Sequence, residues 1–184
     1  MRWKSVLAKP FAHHIARKVA ESAANAVRLQ DNILKELLQK GNQTAFGRDH
    51  QFAQIKDYQS FKAHVPIRDY EGLKIYVERI KQGESGVLWV GKPEYFAKTS
   101  GTTSGLKYIP ITKDSIPNHF GTARNALFNY AAQTGNLSWM DGNVIFLSGS
   151  PELDEIHGIK TGRLSGISNH LVPNWLKGNQ LPSY

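Results

Sequence analysis

Apolar residues recur at helical spacing through the first forty positions, and the period changes after that. Phe11, Ile15 and Val19 share one face, and Leu29, Ile33, Leu34, Leu37 and Leu38 share another. Residues 10–40 therefore predict two helical segments or one bent one. Asp31 with Lys35 and Glu36 with Lys40 are spaced as surface pairs, and Gly41-Asn42 supplies the stop. Phe46, Phe52, Ile55, Tyr58 and Phe61 form a short aromatic-rich region with one brief helix expected before Val65-Pro66. Asp69 is a candidate N-cap for a helix over about residues 70–82, where Leu73, Tyr76, Val77 and Ile80 share one face and Gly83 ends it.

Beyond Gly83 the pattern shortens to strand-like runs. Val87-Leu88-Trp89-Val90, Glu94-Tyr95-Phe96-Ala97 and Lys107-Tyr108-Ile109-Pro110-Ile111 predict strands, the last two as a hairpin with Pro110 at an edge or strand end. Thr112 or Ser115 caps a long helix to about Gln133, with Pro117 in its first turn. Ile116, Phe120, Ala123, Leu127 and Tyr130 are its expected inward residues. Val144-Ile145-Phe146-Leu147 predicts a buried strand. After it, Ser148-Gly149-Ser150-Pro151 and Thr161-Gly162-Arg163-Leu164-Ser165-Gly166 read as loops, and periodicity is weak to the end. The expected class is α/β, with N-terminal helices followed by a partial mixed sheet and flanking helices. Residues 1–83 are mainly helical and 84–184 α/β. With about four strands and no terminal element to close a sheet, residues 1–184 read as the incomplete N-terminal part of a larger protein.

Composition narrows the partners without choosing one. The 184 residues are 40% hydrophobic and 21% charged, enough for a real core. Net charge is +8, which suits nucleotides, nucleic acid or membrane surfaces. There are no cysteines, which excludes disulfides, thiolate metal sites and cysteine nucleophiles. No apolar run approaches membrane-spanning length. Met1 to Ala20 is basic, like a mitochondrial presequence, but the helical pattern runs past any plausible cleavage point. An N-terminal amphipathic helix of a cytoplasmic protein is expected. His157 follows Asp154-Glu155, yet no ligand spacing supports a metal site held by protein side chains. The basic N-terminal stretch has no interleaved stacking aromatics, so nucleic acid is not an expected partner.

The chemistry concentrates at residues 99–107, Thr99-Ser100-Gly101-Thr102-Thr103-Ser104-Gly105-Leu106-Lys107. Such a segment cannot fill a core. Backbone N–H groups, hydroxyls and one cation can surround a polyphosphate; taken without its flanks, the segment reads first as a flexible hairpin tip. The common nucleotide loop Gly-x4-Gly-Lys-Ser/Thr does not fit, because Leu106 stands where the second glycine belongs. Ser100-Gly101-Thr102-Thr103 followed by Gly105 and Lys107 instead resembles the phosphate loop of the adenylate-forming superfamily, with Ser104 inserted before Gly105 and the usual proline before lysine missing. The longer run Phe96 to Pro110 resembles the auxin-responsive acyl acid amido synthetase family, particularly its bacterial members. The resemblance extends to Thr44-Ala45-Phe46-Gly47, to Val65-Pro66-Ile67-Arg68-Asp69-Tyr70-Glu71 and to Gly83-Glu84.

The resemblance implies a ligase that uses ATP and Mg²⁺. A carboxylate attacks the α-phosphate to give an acyl-adenylate and pyrophosphate, and an amine, usually an amino acid, then displaces AMP. It implies that Thr99, Ser100, Gly101, Thr102, Thr103, Ser104, Gly105 and Lys107 hold the ATP phosphates. It also implies that the helix after the loop lines the acyl-acid pocket, with Phe120, Arg124, Leu127 and Phe128 as candidates and Arg163 bordering it from the Gly162–Gly166 segment. Read from the helix period alone, Arg124 is a solvated arginine, the apolar three are core residues, and the Arg163 segment is an ordinary connection. The residues carry two readings of the whole. One is the N-terminal portion of an acyl acid–amino acid ligase, inactive by itself. The other is a non-catalytic basic module that binds a nucleotide or phosphate.

Overall fold

The computed structural model describes residues 3–99, 105–172 and 180–182. Among them the helices are α1 (Trp3–Ala24), α2 (Ala26–Gly41), α3 (Ala45–Asp49), α4 (Tyr58–His64), α5 (Tyr70–Lys81), α6 (Ile116–Thr134) and α7 (Leu164–Leu171). The strands are β1 (Tyr95–Lys98), β2 (Tyr108–Ile111), β3 (Val144–Ile145), β4 (Asp154–Ile156), β5 (Ile159–Arg163) and β6 (Gln180–Leu181).

The first helical pattern becomes two helices because Asn25 leaves helical geometry at φ −110° and ψ 19°. Its side-chain amide donates to the Glu21 carbonyl at 2.9 Å, and its oxygen accepts from Arg28 at 3.2 Å. Asparagine competes in this way with the backbone ladder. Glu36 pairs with Lys40 at 3.0 Å, while Asp31 and Lys35 form no pair. The short helices that follow are fixed by their caps. The Thr44 hydroxyl accepts from the Gly47 N–H at 2.9 Å, Asp57 and Ser60 form a reciprocal box at the start of α4, and Asp69 accepts from the Gly72 N–H at 2.9 Å. Gly83, at φ 92°, ends α5 as expected.

Val87–Val90 is not a strand. Gly86 and Gly91 both adopt positive φ, and the Gly86 N–H donates to the Gly91 carbonyl at 2.9 Å, closing the run into a loop. The carbonyls of Gly86 and Val87 accept from the N–H groups of Ala45 and Phe46, both at 2.9 Å. These are the unpaired donors at the start of α3. The apolar run is needed in the core, where Val87 is buried, but its backbone serves a helix terminus.

The main sheet has the order β2-β1-β5-β4. β1 runs antiparallel to β2 and parallel to β5, and β4 forms an antiparallel hairpin with β5. β2 is an edge strand, the place Pro110 tolerates. One face carries Phe96 and Ile159 against Tyr76, Val77 and Ile80 of α5. The other carries Ala97 and Ile111 against Ile167 of α7. Phe96 is fully buried, and burial of such a side chain contributes about 2–3 kcal/mol.

Three further expectations change. The inward face of α6 is not the predicted one. It packs on α1 through Phe128 and Ala131, with Ala12 and Ile15 opposite and Leu137 completing the cluster. Ala123 is exposed, and Leu127 and Tyr130 are 49% and 50% exposed. Ile116 joins the α7 cluster, and the Phe120 side chain lies outside the described residues. Apolar residues occur on both sides of α6, so the period admits two phases, and the small residues facing α1 select this one. Val144–Leu147 is not a buried strand either. Only Val144–Ile145 is extended, paired in parallel with β6, and Leu147 is 86% exposed. An apolar run marks strand propensity but does not supply a covering layer. Finally, Thr161–Gly166 is not a loop but the end of β5 and the start of α7. Its polar residues hide a strand whose pairing comes from β1 and from a tight turn at His157-Gly158, where φ is 46° and 83°.

Tyr76 links α5 to α3 by donating its hydroxyl to Asp49 at 2.8 Å. Burial, followed by the hydrogen bond to Asp49 and then that carboxylate's charge, raises its pKa. A raised folded value makes this contribution complete below the unfolded tyrosine pKa of about 10 and lost as pH rises through the folded value. The urea midpoint of the wild-type chain should therefore fall more steeply above about pH 10 than that of Tyr76→Phe. Parallel curves would show that Tyr76 makes no such contribution.

Candidate functional site

The Thr99–Lys107 segment joins β1 to β2, as the sequence predicts. The Thr99 N–H donates to the Lys107 carbonyl at 3.1 Å and closes the base of the loop. Ser100, Gly101, Thr102, Thr103 and Ser104 lie outside the described residues. Gly105 adopts φ 78°, and among the described residues a Cβ there would meet nothing within 4 Å. Glycine is favoured there by its backbone conformation rather than by close packing against a described residue.

Parallel pairing brings a second segment to the same edge. Lys98, the last residue of β1, lies beside Arg163, the last residue of β5. α7 begins immediately afterwards, so its N-terminus opens at the carboxyl ends of both strands. A polar turn sits against that terminus. The Gly149 N–H donates to the Ser165 hydroxyl at 2.9 Å, and the Asn169 amide donates to the Ser148 hydroxyl at 2.6 Å. A Cβ on Gly166 would collide with the Ser150 carbonyl oxygen, and one on Gly149 would come within 2.9 Å of the Arg163 side chain. Both glycines are there for close approach. The carboxyl edge of parallel strands is where open α/β sheets bind ligands. Here it gathers hydroxyls, backbone N–H groups and cations suited to an anion.

The lysines near this edge are not equivalent. Lys98 pairs with Asp154 at 2.5 Å, and Lys81 pairs with Glu78 at 2.9 Å while lying 4.6 Å from the Tyr108 ring centroid. These pairs reach solvent and are worth about 0–1 kcal/mol each. Among the described residues no carboxylate pairs with Lys107; its ammonium stands 5.5 Å from the Tyr70 ring centroid. The groups with shifted pKa values lie elsewhere, for instance Glu84, which its hydrogen bond from Arg79 holds below the usual carboxylate range.

The acyl-pocket candidates are dispersed. Arg124 and Leu127 are exposed on α6, and Arg124 bonds Asn125 at 3.2 Å. Phe128 is buried against α1, with the Phe11 ring edge-on at 4.9 Å. Arg163 stands at the sheet's carboxyl edge. A cleft of about 310 Å³ opens at the opposite end of the sheet, between Trp89, Pro93, Pro110 and Asp114, and none of these candidates lines it. Sequence reasoning read Ser148–Pro151 as a loop and quoted Tyr70 without assigning either to the site; the glycine in each half of the turn's contact with α7 was the available signal.

Gly166→Ala should lower stability by about 2–3 kcal/mol, because a backbone oxygen occupies the site of the new methyl group. Gly105→Ala should cost only about 1–2 kcal/mol, the conformational penalty alone. Urea denaturation of the two variants measures the contrast.

Residues 15–173 match the sequence family described as "GH3 family N-terminal domain". Indole-3-acetic acid-amido synthetase GH3.15 of Arabidopsis thaliana is 34% identical over 94 residues, covering 50% of this chain and 16% of the relative. Jasmonoyl--L-amino acid synthetase JAR6 of Nicotiana attenuata is 32% identical over 92 residues, covering 49% and 16%. The solved structure "AtGH3.15 acyl acid amido synthetase in complex with 2,4-DB" superposes with a TM-score of 0.68 at 24% identity, covering 80% of this chain and 26% of that one. The aligned segments thus span about a sixth of the curated relatives and a quarter of the solved chain. The mixed α/β fold is shared with these structures, and the chain belongs to the GH3 family, whose N-terminal domain its residues 15–173 match.

Proposed function

We propose that this chain is the N-terminal portion of an ATP-dependent acyl acid–amino acid ligase that works through an acyl-adenylate. The observation that carries the reading is the position of the Thr99–Lys107 loop, at the carboxyl edge of the β1–β5 pair in a GH3-family fold. Thr99, Ser100, Gly101, Thr102, Thr103, Ser104, Gly105 and Lys107 hold the ATP phosphates. Hydroxyl and N–H donors with one ammonium stabilise the charge that gathers on the phosphates during adenylation. In the first step a carboxylate oxygen of the acyl acid bonds to the α-phosphorus, and the bond to pyrophosphate breaks. In the second an amine nitrogen bonds to the acyl carbon, AMP leaves, and the nitrogen gives up its proton. Adenylation matters because oxide is a poor leaving group and AMP a good one.

Magnesium, when bound with ATP, supplies charge neutralisation at the phosphate oxygens. Among the described residues no group of three or more histidine, aspartate or glutamate side chains stands together to hold a metal ion. Arg124, Leu127, Phe120 and Arg163 are proposed contacts of the acyl acid from separate places in this chain, and α1 already occupies Phe128. The partners are a small carboxylic acid and an amino acid or another amine. Among the described residues no helix is long and apolar enough to cross a membrane.

Equilibrium dialysis of ATP against the chain should show binding that Lys107→Ala weakens at least tenfold, as expected for loss of a charge-assisted contact. The 184 residues alone should give no carboxylic-acid-dependent exchange of pyrophosphate into ATP. Robust exchange would overturn the partial-site reading, and ATP affinity indifferent to Lys107 would remove the loop from the site.

A further inference from the structure

Arg68-Asp69-Tyr70 contributes nothing to the chemistry assigned so far, yet its tyrosine reaches the hairpin that carries the loop. Tyr70 is the first residue of α5, placed there by the Asp69 cap. Its hydroxyl accepts from the Tyr108 N–H at 2.9 Å. Tyr108 is the first residue of β2 and follows Lys107 directly. The Lys107 ammonium stands 5.5 Å from the centroid of the same ring. One half-buried side chain therefore touches both the strand that returns from the loop and the loop's cation.

We infer that Tyr70 is a positioning residue of the phosphate loop: its hydroxyl fixes the start of β2, and its ring holds the Lys107 ammonium toward the carboxyl edge of the sheet. The inference rests on the phosphate-binding reading of Lys107. The ring suits the task because it attracts a cation without neutralising it. A carboxylate there would pair with the ammonium and neutralise it, as Asp154 does at Lys98 and Glu78 at Lys81. The Tyr70–Tyr108 bond also ties the start of β2 to the first residue of α5.

The test uses the full 184-residue chain with Tyr70→Phe, Tyr70→Leu and Lys107→Ala, and inorganic tripolyphosphate as probe. Two NMR readouts do not depend on phosphate. The Tyr108 amide should exchange about fivefold faster in both Tyr70 variants, and the ring-current shift of the Lys107 ε-methylene should persist in Tyr70→Phe and vanish in Tyr70→Leu. Tripolyphosphate affinity should fall about threefold in Tyr70→Phe and about tenfold in Tyr70→Leu, in line with one hydrogen bond and then one cation–π contact. In the Lys107→Ala background, Tyr70→Leu should cost no more than Tyr70→Phe. An equal Tyr70→Leu loss with and without Lys107 overturns the inference, as does unchanged affinity in the Tyr70 variants when Lys107→Ala weakens binding. Affinity unchanged by Lys107→Ala defeats the phosphate reading instead; an absent wild-type ring-current shift then overturns the positioning claim, and a present one sustains it.

Discussion

The parallel pairing of β1 with β5 is the contact on which the arrangement of this molecule depends. It sets Lys98 beside Arg163 and so brings two distant segments to one edge. Remove it, and the Thr99–Lys107 loop belongs to one hairpin while α7 and the Ser148–Ser150 turn belong to another. The pairing is held from both faces. Phe96 and Ile159 bind the strands to α5, and Ala97 and Ile167 bind them to α7. Parallel strands require cover on both sides, and these two helices provide it.

Around that contact, backbone groups at element ends are satisfied by neighbours rather than left to water. Carbonyls of the Gly86–Gly91 loop receive the first N–H groups of α3. His157, in the β4–β5 turn, donates a ring N–H to the Lys81 carbonyl at 2.6 Å, at the end of α5. Ser165 receives the Gly149 N–H. Each bond joins a loop to a helix terminus; the first two satisfy backbone groups that the helical ladder leaves unpaired, and the third satisfies a loop N–H. Loops that look unstructured in sequence are therefore fitted parts of the fold.

Local rules made much of this legible. Asp69 and Gly83 bounded α5, Pro110 marked an edge strand, and the Tyr95–Ile111 region read correctly as a hairpin carrying a polar loop. Misreadings arose where tertiary contacts decide. Val87 reads as a strand because the core needs an apolar residue there. Phe128 and Leu127 are adjacent apolar residues on α6, and only α1 determines which turns inward. Thr161 is fully enclosed in β5 although its hydroxyl and its neighbours suggest a loop. At the candidate site, the glycine and hydroxyl content of the loop was visible from the sequence. Tyr70 was not, because its importance lies in a contact between residues far apart in the chain.

The two hairpins have another consequence. β1 with β2, and β4 with β5, are each joined by short connections and can form locally. The β1–β5 contact that unites them spans all of α6 and the segment after it. Loop closure of that length costs entropy before any contact rewards it. Folding should accordingly assemble the hairpins early and dock them late, since long-range parallel pairing is the slow kind. The edge that sets Lys98 beside Arg163 then comes into being only in the last step of folding.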